Sequence, residues 1–101
     1  MEFRQLEAFV ATAELKSFSK AAKYLYLSQS TVSSHINNLE NKLGKQLLFR
    51  TTKTITLTPE GETFLIYARK IVETKNLAML SLQQSSKSIL HIGASSIPSA
   101  Y

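Results

Sequence analysis

Apolar residues recur at helical steps through the first forty-three positions of the chain. Phe3, Leu6, Phe9, Val10 and Ala13 fall on one stripe, so residues 2–14 predict an amphipathic first helix that offers a face to whatever follows. Phe18, Ala21, Ala22 and Leu25 predict a second, short helix. Val32, Ile36, Leu39 and Leu43, at steps of four, three and four, predict a third from Gln29 to Leu43. The joint between the second and third is too tight for a hairpin of independent helices. With Leu27 expected to plug the turn, the pair reads as a helix-turn-helix sharing one core. The polar punctuation agrees: Ser17 or Ser19 can cap the second helix and Ser28 the third, because a short hydroxyl accepts from orphan backbone N–H groups. Gly44 stands where a left-handed residue would end the third.

Beyond Gly44 the period changes. Leu47, Leu48 and Phe49 form an apolar run, and Ile55 and Leu57 then alternate with Thr54, Thr56 and Thr58, which predicts two short strands. Arg50-Thr51-Thr52-Lys53 is the exposed, basic tip between them. A small basic hairpin beside a helix-turn-helix is a wing, suited to phosphates or to a minor groove. Thr58-Pro59-Glu60-Gly61-Glu62 is a strong helix start, with a Thr cap, Pro at the first helical position and acids at the positive dipole end. A helix from Pro59 to about Gln84 would measure roughly 39 Å, more than a compact domain of this size can bury. Phe64, Ala68, Ile71, Ala78 and Leu82 line one seam of it, interrupted by Lys75, with Leu65, Val72 and Met79 alongside. That seam is expected to pack against a second copy, the other reading being a helix folded back on its own domain.

The expected class is therefore mainly α, a winged helix-turn-helix of three helices and a short two-stranded wing followed by a long dimerisation helix. Residues 1–58 form the winged unit, and 59–88 the linker helix with a polar linker at Gln83–Ser88. In 89–101, Ile89–Gly93 reads as a short buried strand. The following ASSIPSAY resembles a strand-to-helix turn without partners, so 89–101 is expected to begin a truncated domain.

Charge sharpens this picture. The formal total is +5, but Lys16, Lys20, Lys23, Lys42, Lys45, Arg50 and Lys53 face only Glu40 across 15–58, whereas Arg4 is outnumbered by Glu2, Glu7 and Glu14 in 1–14. A basic middle built on a helix pair suits a protein that neutralises phosphates; a merely solvated basic surface is the alternative. At 44% hydrophobic and 19% charged, the composition is that of an ordinary globular chain rather than a disordered one. Without Cys there is no disulfide framework or thiolate metal site. The N-terminus lacks a basic region followed by an apolar core, and no apolar run is long enough to span a bilayer. The expectation is a cytoplasmic protein without membrane attachment.

The candidate chemistry lies on the third helix. Opposite Val32, Ile36 and Leu39 stand Ser30, Ser33, Ser34 and Asn37, with Gln29 at the leading end. Small hydroxyls let a helix approach base edges, and Gln or Asn can pair two groups of adenine. Gln29 is thus the best single candidate for reading a major groove, unless the stripe is simply solvated. Lys20, Lys23, Arg50 and Lys53 are long donors suited to phosphates, and Thr31 could join them. His35 and His91 have no second imidazole or thiolate at ligand spacing. No nucleophile-base-acid set, phosphate loop or paired carboxylate can be assembled, so neither an enzyme nor a cofactor is expected. The nine aromatic residues lack the sheet that usually displays a single-strand stacking platform.

The run FxxAAxxLxxSQSTVSxxIxxLExxLG from Phe18 to Gly44, followed by LLFR and LTPEG, resembles the amino-terminal domain of LysR-type transcriptional regulators along nearly the whole chain. The resemblance implies a dimer joined through the linker helix that presents paired recognition helices to an interrupted inverted repeat in double-stranded DNA, with room for a tetramer in a full-length form. It places Gln29, Ser33 and Ser34 near bases or phosphates and gives Arg50 and Lys53 the wing contacts. Ser34 stands where the family often has Arg or Lys, and Leu48-Phe49 where a Phe followed by a polar residue is usual. Ser95 and Ser96 match a loop that contacts a small-molecule effector in the family, a partner expected only with the rest of that domain present. The competing expectation is a helical protein-interaction or dimerisation module without specific DNA binding.

Overall fold

The computed structural model describes residues 1–50 and 54–88, with side chains described through Gln83. Its elements run α1 (Phe3–Leu15), α2 (Phe18–Leu25), α3 (Gln29–Leu43), β1 (Leu48–Arg50), β2 (Ile55–Leu57) and α4 (Pro59–Ser88). The caps fall where local chemistry puts them. Ser17 Oγ accepts from the Lys20 N–H at 3.0 Å, and Ser28 Oγ accepts from the Thr31 N–H at 3.1 Å. Gly44 closes α3 at φ 68°, while α1 and α2 end on Lys16 and Tyr26 at φ 56° and 58°. Left-handed conformations at these two side-chain-bearing residues cost about 1 kcal/mol each.

α1 is the hub of the molecule, touching α2, α3, α4 and β2. The single stripe read from its sequence understates its burial, since every residue from Ala8 to Ala13 is buried. Ala8, Ala11 and Ala13 are small enough for neighbouring helices to approach on several sides, with Phe9 as the bulky centre. Thr12 is completely buried among them, and its hydroxyl has no hydrogen-bond partner among the described residues. Val32, Ile36 and Leu39 carry α3 into this core, and Ala21 and Ala22 carry α2.

One local expectation is corrected, and one apolar run divides. Leu27 does not plug the turn, because it is 38% exposed. The turn is closed by backbone instead: with Tyr26 left-handed, the Leu27 N–H donates to Ala22 O at 2.9 Å. Phe49 does not extend the buried run of Leu47 and Leu48. In the antiparallel pairing of Leu48 with Leu57, Phe49 with Thr56 and Arg50 with Ile55, strand alternation turns Phe49 outward at 49% exposure.

α4 begins as expected, the Gly61 N–H donating to Thr58 Oγ1 at 2.9 Å and Glu60 and Glu62 standing in its first turn. It runs to Ser88, about 45 Å, so the polar linker expected at Gln83–Ser88 is helical; these residues contain no Gly or Pro to stop the helix. The domain boundary expected at 58/59 crosses the core. Leu65 and Ala68 are buried in it, Phe64 and Val72 pack against it, and the rings of Phe64 and Phe9 lie 5.8 Å apart. Arg69 Nε meets Glu14 Oε2 at 2.6 Å, and Lys75 lies over the Phe3 ring at 4.7 Å, both fastening α4 to α1. The expected strand at 89–93, together with Lys53, His91, Ser95 and Ser96, lies outside the described residues.

Candidate nucleic-acid interface

With Val32, Ile36 and Leu39 fully buried, α3 has its rotation fixed, and the opposite face is left to solvent. Gln29, Ser30, Ser34 and Asn37 are exposed there, and Ser33 and Thr31 are half-buried at its edges. The structure thus brings the predicted polar stripe onto one open face. Apart from Gln29 at its leading end, the exposed side chains on it are short, so a groove floor could approach the helix axis closely.

The leading end of α3 is more tightly ordered than its sequence suggests. Ser28 Oγ lies 2.7 Å from Thr31 Oγ1 and 3.2 Å from Ser30 Oγ, in addition to capping the helix. The Thr31 hydroxyl, read as a phosphate donor, is therefore already engaged with the cap. Gln29 beside it has no partner in this cluster and is free to reach outward. Lys20 and Lys23 are exposed on α2.

Arg50 occupies a different setting from the one expected. Its Nη2 donates to Glu40 Oε1 at 3.0 Å, and its guanidinium carbon sits 5.8 Å from the centre of the Phe18 ring. Glu40 was unremarked as a functional residue in the sequence, where its partners lie seven to ten positions away. Its Oε2 accepts from the N–H groups of Leu47 at 2.8 Å and Leu48 at 3.2 Å. On the other side of the same segment, Thr58 Oγ1 donates to Gln46 O at 2.6 Å and the Thr58 N–H to Leu47 O at 3.0 Å. Residues 46–48, the base of the hairpin, are thereby held between α3 and the start of α4.

The apolar seam of α4 divides. Leu65 and Ala68 leave the expected dimer face because the chain's own core buries them, and Phe64 and Val72 are largely consumed in the same way. Ile71, Ala78, Met79 and Leu82 remain exposed, joined by Ile66, Tyr67, Leu77 and Leu80, which the sequence reading did not single out. Lys75 does not interrupt this face, since it is turned onto Phe3. Tyr67, Ile71, Thr74, Ala78 and Leu82 now form the continuous row. A groove between Leu43, Leu47, Pro59 and Tyr67 lies beside its first turn. Among the described residues, no helix is long and apolar enough to cross a membrane.

Residues 3–62 match the family described as bacterial regulatory helix-turn-helix protein, lysR family. The chain is 41% identical over 95 residues to an uncharacterised HTH-type transcriptional regulator of Methanocaldococcus jannaschii, covering 91% of this chain and 32% of that protein. It is 47% identical over 72 residues to the transcriptional regulator BenM of Acinetobacter baylyi, covering 71% of this chain and 24% of BenM. The chain thus spans about a quarter to a third of the length of these relatives. Among solved structures, it is similar to the BenM DNA-binding domain in complex with catB site 1 DNA, at TM-score 0.79 and 42% identity, over 90% of this chain and 100% of that one.

Proposed function

The chain belongs to the lysR family of bacterial regulatory helix-turn-helix proteins, and from that premise we propose that it binds double-stranded DNA sequence-specifically and regulates transcription. The observation that carries this reading is the open polar face of α3, held in a fixed rotation by three fully buried residues, with exposed lysines on the preceding helix α2. Gln29 reads base edges, Ser30, Ser33, Ser34 and Asn37 line the approach, and Lys20 and Lys23 neutralise phosphate. Lys53, which in the sequence falls between the two strands, is assigned to the flanking phosphate backbone. The similar BenM structure is a DNA-binding domain on DNA, which supports the same use of this face. No step here involves bond chemistry or a cofactor.

A homodimer completes the reading. The row from Tyr67 to Leu82 pairs with the same row of a second copy, as a two-fold interface requires, and places two α3 helices on half-sites of an interrupted inverted repeat. The competing module without DNA binding would leave the α3 stripe without a role.

Selection from a pool of randomised duplexes tests the assignment. Gln29→Ala is expected to relax the preference at one position of each half-site, a loss of about 1–3 kcal/mol of discrimination. Lys20→Ala is expected to weaken all duplexes alike and to reduce the salt slope by about one. Equal weakening on every duplex by Gln29→Ala would remove that residue from base readout, and wild-type protein that binds no duplex at low salt would leave only the interaction-module reading.

A further inference from the structure

We propose that Glu40 and Arg50 are positioning residues that fix the hairpin against the recognition helix, and that Arg50 does not contact phosphate. The proposal rests on the DNA-binding reading above but arises from a separate piece of geometry. Glu40 is on α3, one residue after the fully buried Leu39, and its side chain is only 11% exposed. Its two oxygens receive three donors, two backbone N–H groups of residues 47 and 48 and one guanidinium nitrogen of Arg50.

A carboxylate so enclosed uses most of its acceptor capacity locally, and each bond is charge-assisted. Arg50 is held from a second direction by the Phe18 ring. Swinging the guanidinium away from Glu40 onto a phosphate would strip the carboxylate of the one cationic partner it has among the described residues while it stays shielded from water, a penalty that a water-exposed lysine does not incur. The ion pair therefore sets where β1 leaves α3, and through it the direction of the β1–β2 pair.

Glu40→Gln is the suitable test because it keeps the shape and removes one of the two acceptor oxygens. In the free chain, the amides of Leu47 and Leu48 are expected to exchange faster in Glu40→Gln, with α1 and α3 core amides unchanged. On a selected duplex, Glu40→Gln and Arg50→Ala are each expected to cost about tenfold in affinity. The double variant should be no more than about twofold worse than either single one. Hydroxyl-radical protection should fade over the hairpin-side flank of each half-site while the Gln29-dependent preference persists; a general loss of folded protein would instead lower protection everywhere. Arg50→Ala should leave the slope of log K against log salt unchanged. A slope shallower by about one unit in Arg50→Ala would make Arg50 a phosphate contact and overturn the proposal. So would unaltered exchange at Leu47 and Leu48 in Glu40→Gln. If wild-type protein bound no duplex, the DNA reading would fail, and amide exchange would still decide whether Glu40 holds the hairpin.

Discussion

The two halves of α4 share one helix and an apolar sequence, yet they are opposite structures. From Pro59 to Val72 the apolar side is covered by the chain's own core: Gly61 presses on Leu47, Phe64 meets Phe9, and Leu65 and Ala68 are buried. From Glu73 onward Leu77, Met79, Leu80 and Leu82 are 53–70% exposed, on several sides of the helix. Apolar spacing along a helix therefore says that a face will be covered, not by whom. In this chain the first half is answered mainly intramolecularly, with Ile66, Tyr67 and Ile71 left outside, and the second calls for another chain.

The sharpest way to break that contrast is Gly61→Ala. A Cβ at this position would lie 2.0 Å from Leu47 O, a backbone atom tied to Thr58, so the helix would have to move off the domain. Thermal or urea denaturation is expected to show a loss of about 3 kcal/mol. If Gly61→Ala is as stable as wild type, the first half of α4 is not seated as described. Phe64→Ala removes a half-buried ring from the same contact, and a loss of about 2 kcal/mol is expected in the same measurement. At the other end, the substitution Leu82→Ser should change the unfolding free energy of the dilute chain by no more than about 0.5 kcal/mol. In equilibrium sedimentation it should nevertheless shift the chain from dimer toward monomer. A large loss of stability in the dilute chain would show that the second half is also covered by its own domain.

Legibility in the sequence followed the range of the interaction. Ser17, Ser28, Gly44 and Thr58-Pro59 act within three or four residues of themselves, and each ends or begins a helix as its chemistry predicts. Val32, Ile36 and Leu39 were equally plain because periodicity is local, and they suffice to orient the polar stripe of α3. Glu40 was opaque because its donors come from a later loop and strand, and an isolated acid on a basic helix has no local signature. The outward turn of Phe49 has no signal in the apolar run because a three-residue strand is too short for alternation to show. Leu65 and Ala68 were assigned to a partner because the sequence cannot rank a neighbouring chain against the chain's own α1. Thr31 and Arg50 have the side chains expected of phosphate donors, but existing partners compete for both of them.

Gly61 also gives the molecule a fulcrum. With no side chain between the first turn of α4 and Leu47 O, and with Thr58 bonded both to that helix and to the hairpin base, the long helix bears directly on the segment that Glu40 grips from the other side. α4 is then a lever arm of about 40 Å from Gly61 to Ser88, and a push near Ser88 would bear on residues 46–48.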